Sequence, residues 1–200
     1  MANVDTPFGF KPYQHLNGNP WNGAVRIYYH SASDAAAIYR GDLVQVNVTN
    51  DEATGLYPSV KAHVTGQEDN VGVAVGFGNT PQLATVTTNL AANYCPASTA
   101  MYIAVVDDPD VLFICQEDSA GTALTAGAVW GFADVEDGTS GSSTTGISGM
   151  EIDRSDIADT VGTLQIMRLY PGEGNAIGDY AKWVVRINEH IYRNENVPAA

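Results

Sequence analysis

The stretch VGVAVGFG, residues 71–78, alternates bulky and bare side chains without a break. That period of two marks a strand, with Val71, Val73, Val75 and Phe77 on one face and Gly72, Ala74, Gly76 and Gly78 on the other. So bare a face lets another backbone approach closely, and Gly72, Ala74, Gly76 and Gly78 are expected at a packing or subunit contact. The alternative, a ligand lining, lacks the Lys and Ser/Thr pair that a phosphate loop needs.

The same reading extends in both directions. Upstream, Val25, Ile27 and Tyr29 alternate with Arg26, Tyr28 and His30, and Val44, Val46 and Val48 alternate with Gln45 and Asn47. A further strand is expected around Tyr57 to Thr65. Downstream, AMYIAVVDDPDVLFICQED reads as a hairpin, with Pro109 fixing φ and the aspartates bonding the turn backbone. VLFIC is apolar on both faces, which suits a central or interface strand. SAGTALTAGAVWGFADVEDG fits either a short helix or a loop with a strand. GTLQIMRLY and AKWVVRIN are two more strands, joined by PGEGNAIGDY, and the final NENVPAA reads as a frayed tail. The expected fold is mainly β, a barrel or sandwich of about eight strands with long loops and an extended N-terminal arm.

Composition agrees. Charged residues make up 16% of the chain, against a usual value of about 25%. The surface is therefore built largely from Ser, Thr, Asn, Gln, Gly and Ala, and helix-favouring Lys, Glu and Arg are scarce. Nine basic against 23 acidic residues leave a net charge of −14, which repels phosphate backbones and anionic membranes. Direct nucleic-acid binding and membrane association are not expected. Twelve of the acids and one base, Arg154, fall between Asp107 and Asp159, so one region should be strongly negative: a solvated face, or a site for a cation or a basic partner. No stretch has the pattern of a signal peptide or the length to span a bilayer. Cys115 lies in an apolar run and reads as buried, which together with Cys95 favours two reduced thiols over a disulfide, as in a protein made in the cytoplasm.

Catalytic or metal chemistry finds little support. His15, His30, His63 and His190 form no pair with each other or with Cys at metal-ligand spacing. Asp107, Asp108 and Asp110 lack the Gly and distal Glu of a helix-loop-helix calcium site. GTSGS and GISGM miss the nucleophile-elbow pattern. Glu151 and Asp153 form a nameable carboxylate pair, but 23 acids make some pairing inevitable. Trp21, Trp130 and Trp183 could act as sugar platforms; the first flanks the N-terminal arm, and the apolar surroundings of the other two favour a core role. The chain is expected to be non-enzymatic, with no cofactor and no metal.

The first 23 residues, MANVDTPFGFKPYQHLNGNPWNG, carry Val4, Phe8, Phe10, Tyr13 and Trp21 among Pro, Gly and Asn with no period that would bury them. They must be covered by the body of the same protein or by a neighbour. The expected division is an arm over residues 1–23 and a β-rich body over 24–200, with a flexible Gly/Ser/Thr loop at 137–150. Val4, Phe8, Phe10, Tyr13 and Trp21 are the candidate interface residues.

This opening, with Pro7, Phe8, Gly9, Lys11 and Pro12, then AVRIYYH and the Gly41–Asp42 step into a strand, resembles a family of small structural proteins of tailed bacteriophages. GVAVGF, VVDDPDVLFICQED and WVVRINEH are also similar to that family, so the resemblance covers most of the chain. It implies a virion component of the capsid decoration, or cement, type. Such a protein would sit on the outer surface of the head, bind the major capsid protein, stabilise contacts between its subunits and form a homo-oligomer, a trimer being favoured. The arm would then clip neighbouring subunits, with multivalency making attachment lasting. A minor head, neck or tail protein is the alternative within the same class. A virion-displayed glycan or receptor module using Trp130 lies outside it, and a polymer hydrolase is a third reading.

Overall fold

A computed structural model describes residues 3–49, 52–66, 68–85, 92–138, 141–158 and 161–193. Among the described residues, eleven strands form two antiparallel sheets. One has five strands in the order β2 (Arg26–His30), β6 (Met101–Val106), β5 (Asn70–Gly78), β3 (Leu43–Val46), β4 (Val60–Ala62). The other has six, in the order β1 (Lys11–His15), β7 (Val111–Gln116), β11 (Lys182–Ile187), β10 (Leu164–Leu169), β8 (Phe132–Glu136), β9 (Glu151–Ala158).

Leu43, Val73 and Val106 from the first sheet meet Phe113, Cys115, Ile152, Leu164, Trp183 and Val185 from the second in one buried cluster. A second cluster, with Tyr28, Val44, Val60, Val71, Phe77 and Ile103, draws on all five strands of the smaller sheet together with Ile38 and Cys95. The molecule is a β-sandwich. The five-stranded sheet curls until Tyr29 of β2 bridges Ser59, beside β4, but that single bridge is not a closing ladder, so the barrel alternative does not hold.

The strict alternation of residues 71–78 is broken twice. Register shifts fall between Val44 and Gln45 on β3, opposite Gly72 and Asn70, and between Ala74 and Gly76 on β5. Each extra residue reverses the parity of the residues beyond it. Val73 therefore enters the inter-sheet core, while Val71, Ala74 and Phe77 enter the second cluster. The bare positions therefore do not share one face, and each packs against the same chain, which corrects the subunit-contact alternative for Gly72, Ala74, Gly76 and Gly78. A Cβ on Gly72 would stand 2.1 Å from the Val106 carbonyl oxygen. On Gly76 it would lie 2.2 Å from the Ala84 oxygen, and on Gly78 2.4 Å from the Ala84 nitrogen. The short helix α1 (Pro81–Ala84), whose Thr80 cap accepts from the Leu83 N–H, folds back onto the strand at this point. Gly76→Ala is expected to cost about 1–3 kcal/mol by overpacking, read from a urea midpoint.

Three further expectations change. Residues 101–116 do not form a hairpin, because β6 belongs to the five-stranded sheet and β7 to the six-stranded one. Asp107 accepts from the Tyr28 hydroxyl at 2.7 Å and pairs with Arg26 at 3.1 Å, which ties the turn to β2 while the chain crosses between layers. The Gly/Ser/Thr loop is held where it is described: Gly146 packs on Asn93, the Arg40 N–H donates to the Gly146 carbonyl, and the Ser148 N–H donates to that of Arg40. Residues 139 and 140 of that loop, and the tail 194–200, lie outside the described residues.

The third change concerns the N-terminus. Residues 11–15 are an edge strand paired with β7, Lys11 opposite Ile114 and Pro12 opposite Phe113, with a register shift between Pro12 and Gln14. An edge position beside a bulge tolerates a proline that donates no hydrogen bond. Phe10, just before it, is 1% exposed and meets Phe113 edge-on at 6.5 Å. The boundary at residue 23 therefore does not separate an arm from a body, because β1 is part of the sandwich. As for Phe10, its burial in this chain's own core removes it from the candidate interface.

Candidate docking site

The remaining opening residues build a surface groove. A cavity of about 550 Å³ is lined by Phe8, Phe10, Lys11 and Pro12 from the N-terminal segment, Arg40, Gly41 and Val75 from the smaller sheet and its approach, Ile114 of β7, and Ile147, Tyr170 and Lys182. Two glycines bring the walls together. Gly9 has φ +67° and Gly41 φ +97°, and a Cβ on Gly9 would lie 2.4 Å from the Gly41 oxygen. The Phe10 N–H donates to the Gly41 carbonyl at 2.8 Å, and the Gly41 N–H to that of Ala74 at 2.8 Å. Asp42 then stops the turn by accepting from the Tyr39 N–H at 2.7 Å, and burial pushes its carboxyl up to about 6.

The groove is apolar in its floor and cationic at its edge. Lys11, Arg40 and Lys182 are three of only nine basic residues in a chain of net charge −14. Among the described residues none of the three has a carboxylate within ion-pair distance, as is also true of Lys61, Arg168 and Arg186, whereas Arg26, Arg154 and Arg193 are paired. Lys182 stands 5.8 Å from the centre of the Phe8 ring.

The predicted interface residues separate along this segment. Val4 is 67% exposed and lines a smaller adjoining cavity that shares Tyr170 and Lys182 with the groove. Phe8 is half-buried in the groove wall. Tyr13 meets Tyr170 edge-on at 5.6 Å beneath Arg168, and Trp21 packs on the edge of the inter-sheet core, its indole N–H donating to the Ala24 carbonyl. The structure thus brings Val4 and Phe8 to one accessible surface. It turns Phe10 inward and commits Tyr13 and Trp21 largely to contacts within the chain. Arg40, Ile147, Tyr170 and Lys182 are groove residues that the sequence reading missed; each is an isolated residue in a different segment, and the scarcity of cations was a signal for Arg40 and Lys182 alone.

Other constellations are closed. His30 Nδ1 lies 3.3 Å from Cys95 Sγ and 2.9 Å from the Thr99 carbonyl oxygen, and its Nε2 is 3.9 Å from Asp34, a juxtaposition with no signature in sequence spacing. Both His30 and Cys95 are fully buried, and burial pushes the thiol up to about 12, so it is neither ionised nor accessible in this conformation. Cys95 and Cys115 are free thiols. The three aspartates of the 107–110 turn are engaged by protein: Asp107 by Tyr28 and Arg26, Asp108 by the Asp110 N–H, and Asp110 by Arg193. Among the described residues no group of three or more His, Cys, Asp or Glu is placed to hold a metal ion, and no helix is long and apolar enough to cross a membrane. Glu151 and Asp153 have different partners, Gln116 and Ser155. Trp183 is wholly buried, whereas Trp130, at φ +74° just before β8, is 65% exposed, against expectation.

Gln116 also ties the N-terminal segment down: its amide donates to Glu151 at 2.8 Å, and its oxygen accepts from the Thr6 N–H at 3.4 Å. Burial pushes Glu151 up to about 7, opposed by the Gln116 hydrogen bond and reinforced by Asp5. Glu117, also buried, is pushed up to about 7. A carboxyl with a raised folded pKa binds more protons folded than unfolded, so its effect is to lower stability as pH rises towards and through 7. His190, lowered by burial to about 4, and His63, lowered likewise, act oppositely below about 6.5, where the unfolded chain takes up protons that the buried rings refuse. Thermal stability is expected to fall from pH 6 towards pH 8. Glu151→Gln should retain more of its pH 6 melting temperature at pH 8 than the parent protein does, and parallel curves would contradict this.

Comparison of the chain with family models, with curated proteins and with solved structures finds no match.

Proposed function

We propose that the protein is a non-enzymatic structural component of a tailed-phage virion, a capsid decoration protein that binds the outer surface of the head and strengthens contacts between major capsid subunits. The observation that carries this reading is a convergence in space. Phe8, Lys11, Pro12 and Gly41, which carry much of the resemblance to that family, line one groove, and Pro7 lines the cavity beside it. Gly9 and Gly41 account for the close backbone approach that shapes the groove; Phe8 and Lys11 are left facing outward as contact residues. The mechanism differs from the clipping arm inferred from sequence, since Phe10 and β1 are built into the sandwich and the contact surface is the groove they wall, with Val4 beside it. A homo-oligomer, a trimer being favoured, would multiply a modest contact across the shell.

The test is to mix purified protein with expanded, undecorated shells and sediment them. The reading expects saturable co-sedimentation and a higher shell disruption temperature; absence of binding to mature shells overturns it.

The exposed, left-handed Trp130 favours a second reading, a glycan or receptor module displayed on the virion. Glycan-array binding that disappears with Trp130→Ala would establish it, and silence across a broad array would remove it.

A further inference from the structure

The groove has a chemistry that specifies more than attachment. We propose that it holds an extended acidic segment of a partner protein, whose carboxylates meet Lys11 and Lys182 while an apolar side chain between them rests on Ile114 and Tyr170. The inference deepens the docking reading and rests on it by naming what docks.

Charge complementarity is the first argument. Three of the chain's nine bases line this one groove, and none of them has a carboxylate within ion-pair distance among the described residues, so their charge is not neutralised by the chain itself. No acidic residue lines the cavity at all. Lys11, exposed, with Arg40 and Lys182, half-buried, around an apolar floor form a local field that favours an anion with hydrophobic flanks.

Geometry is the second. Lys11 on β1 is opposite Ile114 on β7, and Ile114 is opposite Val184 on β11, two residues from Lys182. Two strand spacings of about 4.8 Å and two residues of about 3.4 Å place the Lys11 and Lys182 backbones about 12 Å apart. One small anion meets a single such point. An extended chain repeats side chains on one face about every 6.8 Å, so residues four apart span about 13.6 Å and match the pair. The residue midway between them then points at the apolar floor.

A second copy of this chain is a poorer occupant. Each copy carries −14, so apposing two whole surfaces adds repulsion that a short segment does not bring.

The probe is a labelled nine-residue peptide with glutamate at its third and seventh positions, phenylalanine at the fifth and threonine elsewhere, titrated with the full-length protein by fluorescence polarisation. Saturable binding is expected, weakened about tenfold or more by Lys182→Glu or Lys11→Glu with unchanged melting temperature, and weakened by added salt. A peptide with lysine replacing glutamate should not bind, and one with adjacent glutamates should bind more weakly. Equal binding of the acidic and basic peptides, or insensitivity to both substitutions, overturns the proposal. So does self-association that Lys182→Glu abolishes, which would make a second copy the occupant, or decanoate binding without peptide binding, which would make it a small amphiphile. Shell co-sedimentation is independent of this readout: peptide binding without shell binding removes the virion reading alone, and shell binding without peptide binding removes this inference alone.

Discussion

Phe10→Ala is expected to destabilise the protein by about 3–5 kcal/mol, the usual cost of emptying a fully buried phenylalanine site. For a chain of this length that corresponds to a melting temperature lower by roughly 10 °C. The reason is local and specific. Phe10 packs edge-on against Phe113 in the inter-sheet core, and its N–H donates to Gly41, so truncation leaves a cavity where the two sheets and the groove wall meet. Val4→Ala, at a side chain 67% exposed, should change stability by less than about 0.5 kcal/mol. The contrast separates two accounts of the N-terminus. A detached arm would leave folding indifferent to both substitutions and would show its losses in binding alone. Removing residues 1–22 should be more severe than Phe10→Ala, because it also strips β1 from the edge of β7.

The second large effect is expected at Arg154. Its guanidinium is buried in the six-stranded sheet, where it donates to the Ser119 carbonyl at 2.6 Å, the Ala120 carbonyl at 2.7 Å and Asp179 at 2.8 Å, with Asp118 at 3.7 Å and Glu117 at 4.0 Å. One side chain thus holds the 117–121 turn against β9. Arg154→Met removes the donor to the Ser119 and Ala120 carbonyls and leaves the buried carboxyls of Glu117 and Asp118 without a counter-charge, a loss of about 3–5 kcal/mol by comparison with other broken buried pairs. Arg154→Lys should recover little, since a single ammonium cannot reach carbonyls on several sides as the planar fork does. Adding Glu117→Gln to Arg154→Met should return part of the loss, a coupling measurable in a double-mutant cycle. Full additivity would show that Glu117 and Arg154 act independently.

Much of the fold was legible within single strands. RIYYH, LVQV, LQIMRL and KWVVRI each read correctly as strands because they are short runs rich in β-branched, aromatic and other apolar residues bounded by turn signals. Three kinds of feature were not legible. Parity within VGVAVGFG depends on bulges, and a bulge is specified by the partner strand as much as by the strand itself. Partner choice at residues 101–116 was misread because DDPD suits both a hairpin and an inter-layer turn; the contacts of Asp107 with Tyr28 and Arg26 decide it, and both partners stand on β2, remote in sequence. Strands β1 and β9 lacked a clean pattern: KPYQH contains a proline, and EIDRSDIA carries a buried arginine whose partners lie in another turn.

The candidate site was half visible. Phe8 and Val4 were named from an apolar segment without a period, and that segment does present them outward. Phe10 followed the same logic to the opposite outcome, since nothing in sequence says which of two neighbouring phenylalanines meets Phe113. The groove's cationic edge was invisible, because Lys11, Arg40 and Lys182 come together only once β1, the Gly41 turn and β11 are in place.

The central claim, that the face bearing Phe8, Tyr170 and Lys182 is the docking face, is tested most directly by an image of the decorated particle at a resolution that orients the sandwich. The account predicts that this face lies against the shell, with density from a capsid subunit entering the groove between Lys11 and Lys182. A sandwich seated on its opposite face, with the groove open to solvent, would contradict it.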